Sequence, residues 1–230
     1  MHRFALLLAL LLAACGHVDY DAVPAGRFKG TLFVMWVGEG GGAGDGRFVY
    51  VPNPRDPLRL VRAKGSPQVI QPEMIYTDGG SIPRAGQMFN GFAPWGYAPA
   101  YMIHDWLFVA RHCLTDGAAT EAEHQIAAME FQDSAEIIAE AIKALIVSGQ
   151  VRPNDIAPKV IAGAVAGPIS YRRWTVKGDC AQDRVSAADR AAAEAGIPGS
   201  ATVLRGMRKQ LDDGSLVAVK PGRIVTTLRF

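Results

Sequence analysis

A histidine followed directly by an aspartate, His104–Asp105, interrupts the apolar run YMIHDWLFVARH at residues 101–112. An imidazole beside a carboxylate can serve as an oriented general base, or as two ligands of a metal ion that recruits a further acid. On a helix the two side chains diverge by about 100°, so they line adjacent walls rather than one line. His104 shares a strip with Phe108 and Arg111, and Asp105 shares one with Val109 and His112. A charged Asp105 among Met102, Trp106 and Val109 needs a donor or a cation to offset its desolvation.

Candidate partners follow within twenty residues. Thr120 and Glu123 have the spacing of a helix-capping box, and His124 adjoins them. If the helices on either side of residues 113–119 pack antiparallel, His104 or Asp105 could approach Glu123 and His124. His124 points toward the centre of its helix's apolar stripe and is expected to be buried or to face a site. One reading then makes His104, Asp105 and Glu123 ligands of a divalent metal, with Asp78 orienting an attacking water. A second makes His104 a general base without metal. The competing explanation is a hydrogen-bonded network that only locks loop to helices, as buried polar groups require; His112 could likewise simply cap late carbonyls of its helix. Familiar hydrolase patterns do not decide between these. The HExxH zinc motif is absent, and Ser81 in DGGSIP is not in a GxSxG elbow. The HD pair of metal phosphohydrolases needs an upstream histidine, whereas only His2 and His17 precede this one. Cys113 adjoins His112, but adjacent helical side chains diverge, which makes a thiol nucleophile a weak proposal.

The elements that must hold these residues are legible from periodicity. FKGTLFVMWV, RFVYV, LRLV and QVI read as strands, the first two joined as a hairpin across GEGGGAGDG. That glycine run has no Lys-Ser or Lys-Thr to complete a phosphate loop and reads as a turn. IYTDGGSIPRAGQMFNGFAPWGYAPAY is a loop shaped by glycine and proline, of the kind that positions functional groups. Pro99 suits the first turn of a largely buried helix reaching about His112. Thr120 then starts the longest helix, ending near Gly149, with Phe131, Ala135, Ile138, Ile142 and Leu145 inward and Glu136, Glu140 and Lys143 on a wetter side. Further on, IAPKVIAGAVAGPIS suggests a short helix ending before Pro168, SAADRAAAEAG another, TVLRGMRKQLDDG a possible further one, and LVAV and IVTTLRF terminal strands. The fold class is α+β: a small antiparallel N-terminal sheet on a helical core, with a short α/β C-terminal extension.

The 230-residue chain is 49% hydrophobic and 20% charged, which suits one substantial domain. MHRFALLLALLLAACG has a short basic start, an apolar core too short to span a bilayer, and small residues before Cys15. LAAC is similar to the lipobox of bacterial lipoproteins, and that resemblance implies cleavage before Cys15 and acylation of its thiol and new amino group. The partition is then a signal over 1–14, a tether over 15–27, a main domain over 28–150 and an extension over 151–230. Export leaves Cys113 and Cys180 able to pair, though no spacing fixes their distance. A net charge of +2 gives no drive toward nucleic acid, and no specific nucleic-acid partner is expected; the basic last third, with twelve Lys and Arg against six Asp and Glu from residue 156 on, reads as solvated surface.

TDGGSIPR at 77–84, a Trp- and Pro-containing loop, and AYMIHDWLF at 100–108 together resemble a bacterial and phage family of unknown function, the domain family numbered 1353. The resemblance covers about residues 28–135. It implies a shared site at Asp78 and Ser81 on the loop, His104 and Asp105 on the first helix, and Glu123 where the family carries aspartate. Phe108 replaces the family's usual tyrosine, which removes a hydroxyl. The family supplies no reaction. The functional expectation is therefore a lipoprotein held by membrane lipid through Cys15 in the cell envelope, on the periplasmic face of the outer membrane. It would be a hydrolase acting on an envelope glycan or peptide, or else a noncatalytic envelope or prophage-derived accessory protein with an envelope polymer or envelope protein as partner.

Overall fold

In the computed structural model the described residues are 18–38, 46–77, 96–153, 157–200, 208–210, 216–218 and 220–230. Six strands come first: β1 (Arg27–Lys29), β2 (Thr31–Val37), β3 (Arg47–Pro52), β4 (Arg59–Val61), β5 (Val69–Ile70) and β6 (Ile75–Thr77). Helices follow as α1 (Ala98–Thr115), α2 (Glu121–His124), α3 (Phe131–Val147), α4 (Ala157–Val165), α5 (Pro168–Trp174), α6 (Cys180–Asp183) and α7 (Ala187–Gly196). Strands β7 (Arg208–Gln210), β8 (Leu216–Ala218) and β9 (Arg223–Arg229) complete the described chain. The fold is α+β.

The central sheet has the order β6-β3-β2-β9 and is antiparallel throughout. Hairpin partners β2 and β3 run in register from Leu32↔Pro52 to Val37↔Arg47. The apolar run of β2 does not alternate because both of its faces are covered. Leu32 and Val34 join a core with Tyr50, Ile103, Leu107 and Ile138 under α1 and α3. Phe33, Met35 and Val37 join Val49, Val51, Val185, Ala193 and Ile197 under α7. The stretch expected as an extension thus contributes a strand and a covering helix to the central layer. Gly196 permits the closest of these contacts, since a Cβ there would stand 2.2 Å from the Gly222 carbonyl oxygen and 2.5 Å from Met35 Cε. A smaller sheet, β1-β4-β5, packs beside α3.

Several sequence expectations are corrected. The capping box at Thr120 forms, but its helix lasts only four residues before a turn, and a second capping box at Glu130 and Asp133 starts α3. The long helix is therefore two. Glu140, expected on the wetter side, is 1% exposed. Its Oε2 accepts from Arg62 Nε at 3.0 Å, and its Oε1 accepts from the backbone N–H of Ala63. Gly65, at φ +89°, leaves room for that guanidinium, because a Cβ there would lie 2.8 Å from it. His124 is exposed rather than buried. Within the expected helix over TVLRGMRKQLDDG, Arg208–Gln210 form a strand paired with Leu216–Ala218; the rest of that stretch lies outside the described residues. The expected tether is seated rather than free from Val18 onward: Val18 and Val23 are buried against Ala135 and Ala139 of α3, Ala162 of α4 and Ala166 just after it.

Candidate functional site

Helix α1 carries His104, Asp105 and His112, and its two halves treat their polar groups differently. Pro99 sits in its first turn, and Gly117, at φ +70°, follows its C-cap. Between them nearly every side is buried, so each polar group on it must find a partner or remain unsatisfied.

In the C-terminal half every such group described is paired. His112 is fully buried, with Nδ1 2.6 Å from Asp183 Oδ2 and Nε2 2.6 Å from the Arg173 carbonyl oxygen. A carbonyl can only accept, so Nε2 bears a proton. Asp183 also accepts from Arg173 at 2.7 and 2.9 Å, so it is ionised and Nδ1 donates as well. His112 is thus a buried imidazolium. Burial alone would lower its pKa; the Asp183 carboxylate and then the Arg173 carbonyl more than offset this, and the net shift is upward. Next to it, Cys113 is bonded to Cys180. Asp116 accepts from the backbone N–H groups of Gly178 (2.7 Å) and Cys180 (3.0 Å), which hold its carboxyl below the usual range. His112, Asp179 and Asp183 approach closely enough to hold a metal ion. The guanidinium of Arg173 already bridges both carboxylates, so this cluster is a latch fastening residues 173–183 onto α1.

In the N-terminal half the opposite holds. His104 is 6% exposed; its Nδ1 lies 3.5 Å from Asp105 Oδ1, and its Nε2 has no hydrogen-bond partner. Its ring packs 4.8 Å from that of Phe108, as their shared strip predicts. Asp105 is partly exposed, its side chain at 40%, which relieves the desolvation the sequence raised. The buried hydroxyls of Tyr97 and Tyr101 are also without partners, and the two rings are 6.2 Å apart. Burial pushes both phenols' pKa values up, with Tyr97 and Asp105 adding to the effect at Tyr101. The N-cap Tyr97 and Tyr101 and His104 of α1 thus form one stripe, spaced four and three residues apart, with Asp105 on the adjoining wall. Sequence reasoning missed both tyrosines, although the i, i+4, i+7 spacing from Tyr97 to His104 was there to be read.

Glu123 does not join this stripe. Its Oε2 accepts from the backbone N–H of Thr120 at 2.7 Å and from Arg184. It lines a pocket of about 50 Å³ with Trp106, Val109, Glu73, Thr120 and Arg184, on another side of α1. Among the described residues, His104 and Asp105 approach each other, but the ligand atoms of His104, Asp105 and Glu123 do not all lie within 4.8 Å of one another, so this arrangement does not gather the three around one ion. Asp78, Ser81 and Cys15 lie outside the described residues.

No protein-family model, curated protein or solved structure matches the chain.

Proposed function

We propose that the protein is a lipid-anchored cell-envelope hydrolase that works without a metal, with His104 as general base, Asp105 orienting its ring, and Tyr97 and Tyr101 as hydrogen-bond donors. The observation that carries this reading is three buried, unpartnered polar atoms on one side of the start of α1, His104 Nε2 and the two phenolic hydroxyls; Trp106 Nε1, on another side of the helix, is unpartnered as well. A buried donor or acceptor without a partner costs roughly 1–3 kcal/mol, and such a cost is tolerated where a ligand or reacting group completes the set. With Nδ1–H directed to Asp105, the Nε2 lone pair is free to take a proton from a nucleophile, while two phenols can donate to the oxyanion that develops on an ester, amide or glycosidic substrate. The nearest polymers for a protein anchored through Cys15 are envelope glycan and peptide. The Cys113–Cys180 bond supports an oxidising compartment, and among the described residues no helix is long and apolar enough to cross a membrane. The likeness of TDGGSIPR and HDWLF to the family numbered 1353 supports a site shared by loop and helix, with Asp78 and Ser81 as its loop members.

The test is release of soluble fragments from purified cell-wall sacculi by the full chain. His104→Gln should lower the rate by at least about 10², the usual contribution of a general base, while the thermal melt stays that of the unmodified chain; chelation should change nothing. Undiminished release by His104→Gln, or no release by the unmodified chain, overturns the proposal. A second reading, a noncatalytic accessory protein, is favoured by Glu123, whose Oε2 is taken up by a helix cap and an ion pair. It predicts no release, together with a thermal melt lowered by His104→Gln.

A further inference from the structure

The covalent reach from Cys15 to the folded body is short, and it decides which face of the protein meets the membrane. Val18 is 7% exposed and sits between α3 and α4 against Ala135, Ala139, Ala162 and Ala166. Two residues separate it from Cys15, three steps along the chain, so their Cα atoms can be at most about 11 Å apart. The headgroup layer on one side of a bilayer is roughly 5–8 Å deep. An acyl-bearing Cys15 at its inner boundary therefore leaves only a few ångströms between Val18 and the outer edge of the headgroups. The surface flanking the Val18 seat has to lie on the bilayer.

That surface has an unusual composition. Helix α4 runs back along α3: Lys159 shares a pocket with Lys143, Ile146 and Val147 near the end of α3, while Ala166 packs with Ala135 near its start. Apart from Lys159, the outward positions of α4 and the start of α5 are Val160, Gly163, Ala164, Pro168 and Ile169, all exposed and none charged. Six large apolar side chains are exposed among the described residues, and four of them, Val147 (76%), Val160 (51%), Ile169 (85%) and Tyr171 (54%), are on α3, α4 and α5. Arg172 is an exposed cation beside this strip, and Lys159 stands there paired with the exposed Asp21. Apolar side chains outward with basic groups at the margin suit the boundary between headgroups and acyl chains, where anionic lipid attracts the cations. The N-terminal segment is itself fixed onto these helices, by Lys143 donating to the carbonyls of Asp21 and Val23 and by the Lys159–Asp21 ion pair at 2.8 Å.

We infer that the outer face of α4 and α5, with Val147, is a membrane-docking surface that lies in the interface of an anionic phospholipid bilayer and fixes the orientation of the anchored protein. The inference rests on acylation of Cys15 and goes beyond it, because a long tether would have left orientation free. On this inference Val160 and Ile169 lie at acyl-boundary depth, and Val225 on β9, which is 46% exposed, lies in water.

The test uses the full lipidated chain in vesicles of phosphatidylethanolamine and phosphatidylglycerol. Single cysteines introduced as Val160→Cys, Ile169→Cys and Val225→Cys carry an environment-sensitive fluorophore, and the mass of the N-terminal peptide reports acylation of Cys15. Probes at 160 and 169 should shift to the blue and be quenched several-fold more by spin-labelled lipid than the probe at 225. An acylated chain whose probe at 169 behaves like that at 225 overturns the docking face alone. A chain with no acyl group on Cys15 overturns anchor and face together. Shielding at 169 that does not respond to spin-labelled lipid identifies a second copy as the occupant and also overturns the inference.

Discussion

Replacing Glu140 with glutamine should be among the most damaging single changes outside the cysteines, although the sequence places this residue on a solvated face. Its side chain is 2% exposed and that of Arg62 3%, so neither charge has water to fall back on. At 3.0 Å and an effective dielectric of 20 their attraction is roughly 5 kcal/mol, most of which offsets the cost of desolvating both ions. Glutamine keeps the shape, and its Oε1 can still accept from Ala63 N–H, so the change isolates the charge. Arg62 is then left buried with only the Ser66 carbonyl at 3.5 Å. The expected loss is about 3–5 kcal/mol. At about 2–4 °C per kcal/mol for a chain of this size, the melting temperature should fall by roughly 6–20 °C. Urea unfolding at pH 7, with the disulfide intact, measures it. The double replacement Arg62→Met with Glu140→Leu removes both charges and leaves mainly the Ala63 N–H unpaired, at about 1–3 kcal/mol. It should therefore be more stable than Glu140→Gln alone. A single variant within 1 kcal/mol of the unmodified chain, or a double variant less stable than the single, refutes the reasoning.

Two further outcomes concern the latch on α1. His112 has a folded-state pKa raised above its ordinary value of 6.5; its stabilisation is therefore fully present below about pH 6.5 and is lost as pH rises through the folded value. Relative to His112→Gln, the unmodified chain should lose stability in urea melts as pH rises above about 6.5, and a flat difference there would sink the assignment of a buried imidazolium. The carboxylate of Asp116 shifts downward from 3.8 and so acts only at acid pH, outside this window. The Cys113–Cys180 bond closes a sequence separation of 67 residues, for which loop-closure entropy gives about 4 kcal/mol. Paired replacement by alanine, or reduction of the unmodified chain, should cost that much, and a cost under 1 kcal/mol would show that the latch alone holds the ends together.

What the sequence displayed was local, and what it hid was contact between distant residues. Strand β2 was readable from its apolar run, but not that β9 would lie beside it, since that partner is almost two hundred residues away. The spacing that put Glu140 in line with Glu136 and Lys143 was correct as helical geometry; Arg62, from a different sheet, is what made the position dry. Thr120 and Glu123 illustrate a conflict inside one signal. The same glutamate was read both as a cap and as a ligand, and the cap prevails because it closes over three residues with little entropy to lose, whereas reaching His104 would require abandoning it. His124, on the last position of a four-residue helix, never acquires the stripe its periodicity promised, because the chain turns before the next apolar residue can share its face.

The two halves of α1 share one backbone and nearly the same burial, so burial alone does not explain why one is fully paired and the other is not. Around His112 the chain invests a disulfide, an arginine and three carboxylates from residues 173–183 and from Asp116 to satisfy every donor. Around His104 it leaves an imidazole nitrogen and two phenols without partners, eight residues up the same helix. Were these groups only structural, phenylalanine at 97 and 101 would pack as well and avoid the cost of the bare hydroxyls. Tyr97→Phe and Tyr101→Phe should accordingly leave the fold as stable or more so, and if they impair release from sacculi while doing so, the polar stripe is retained for what it does to a substrate and not for what it does for the core.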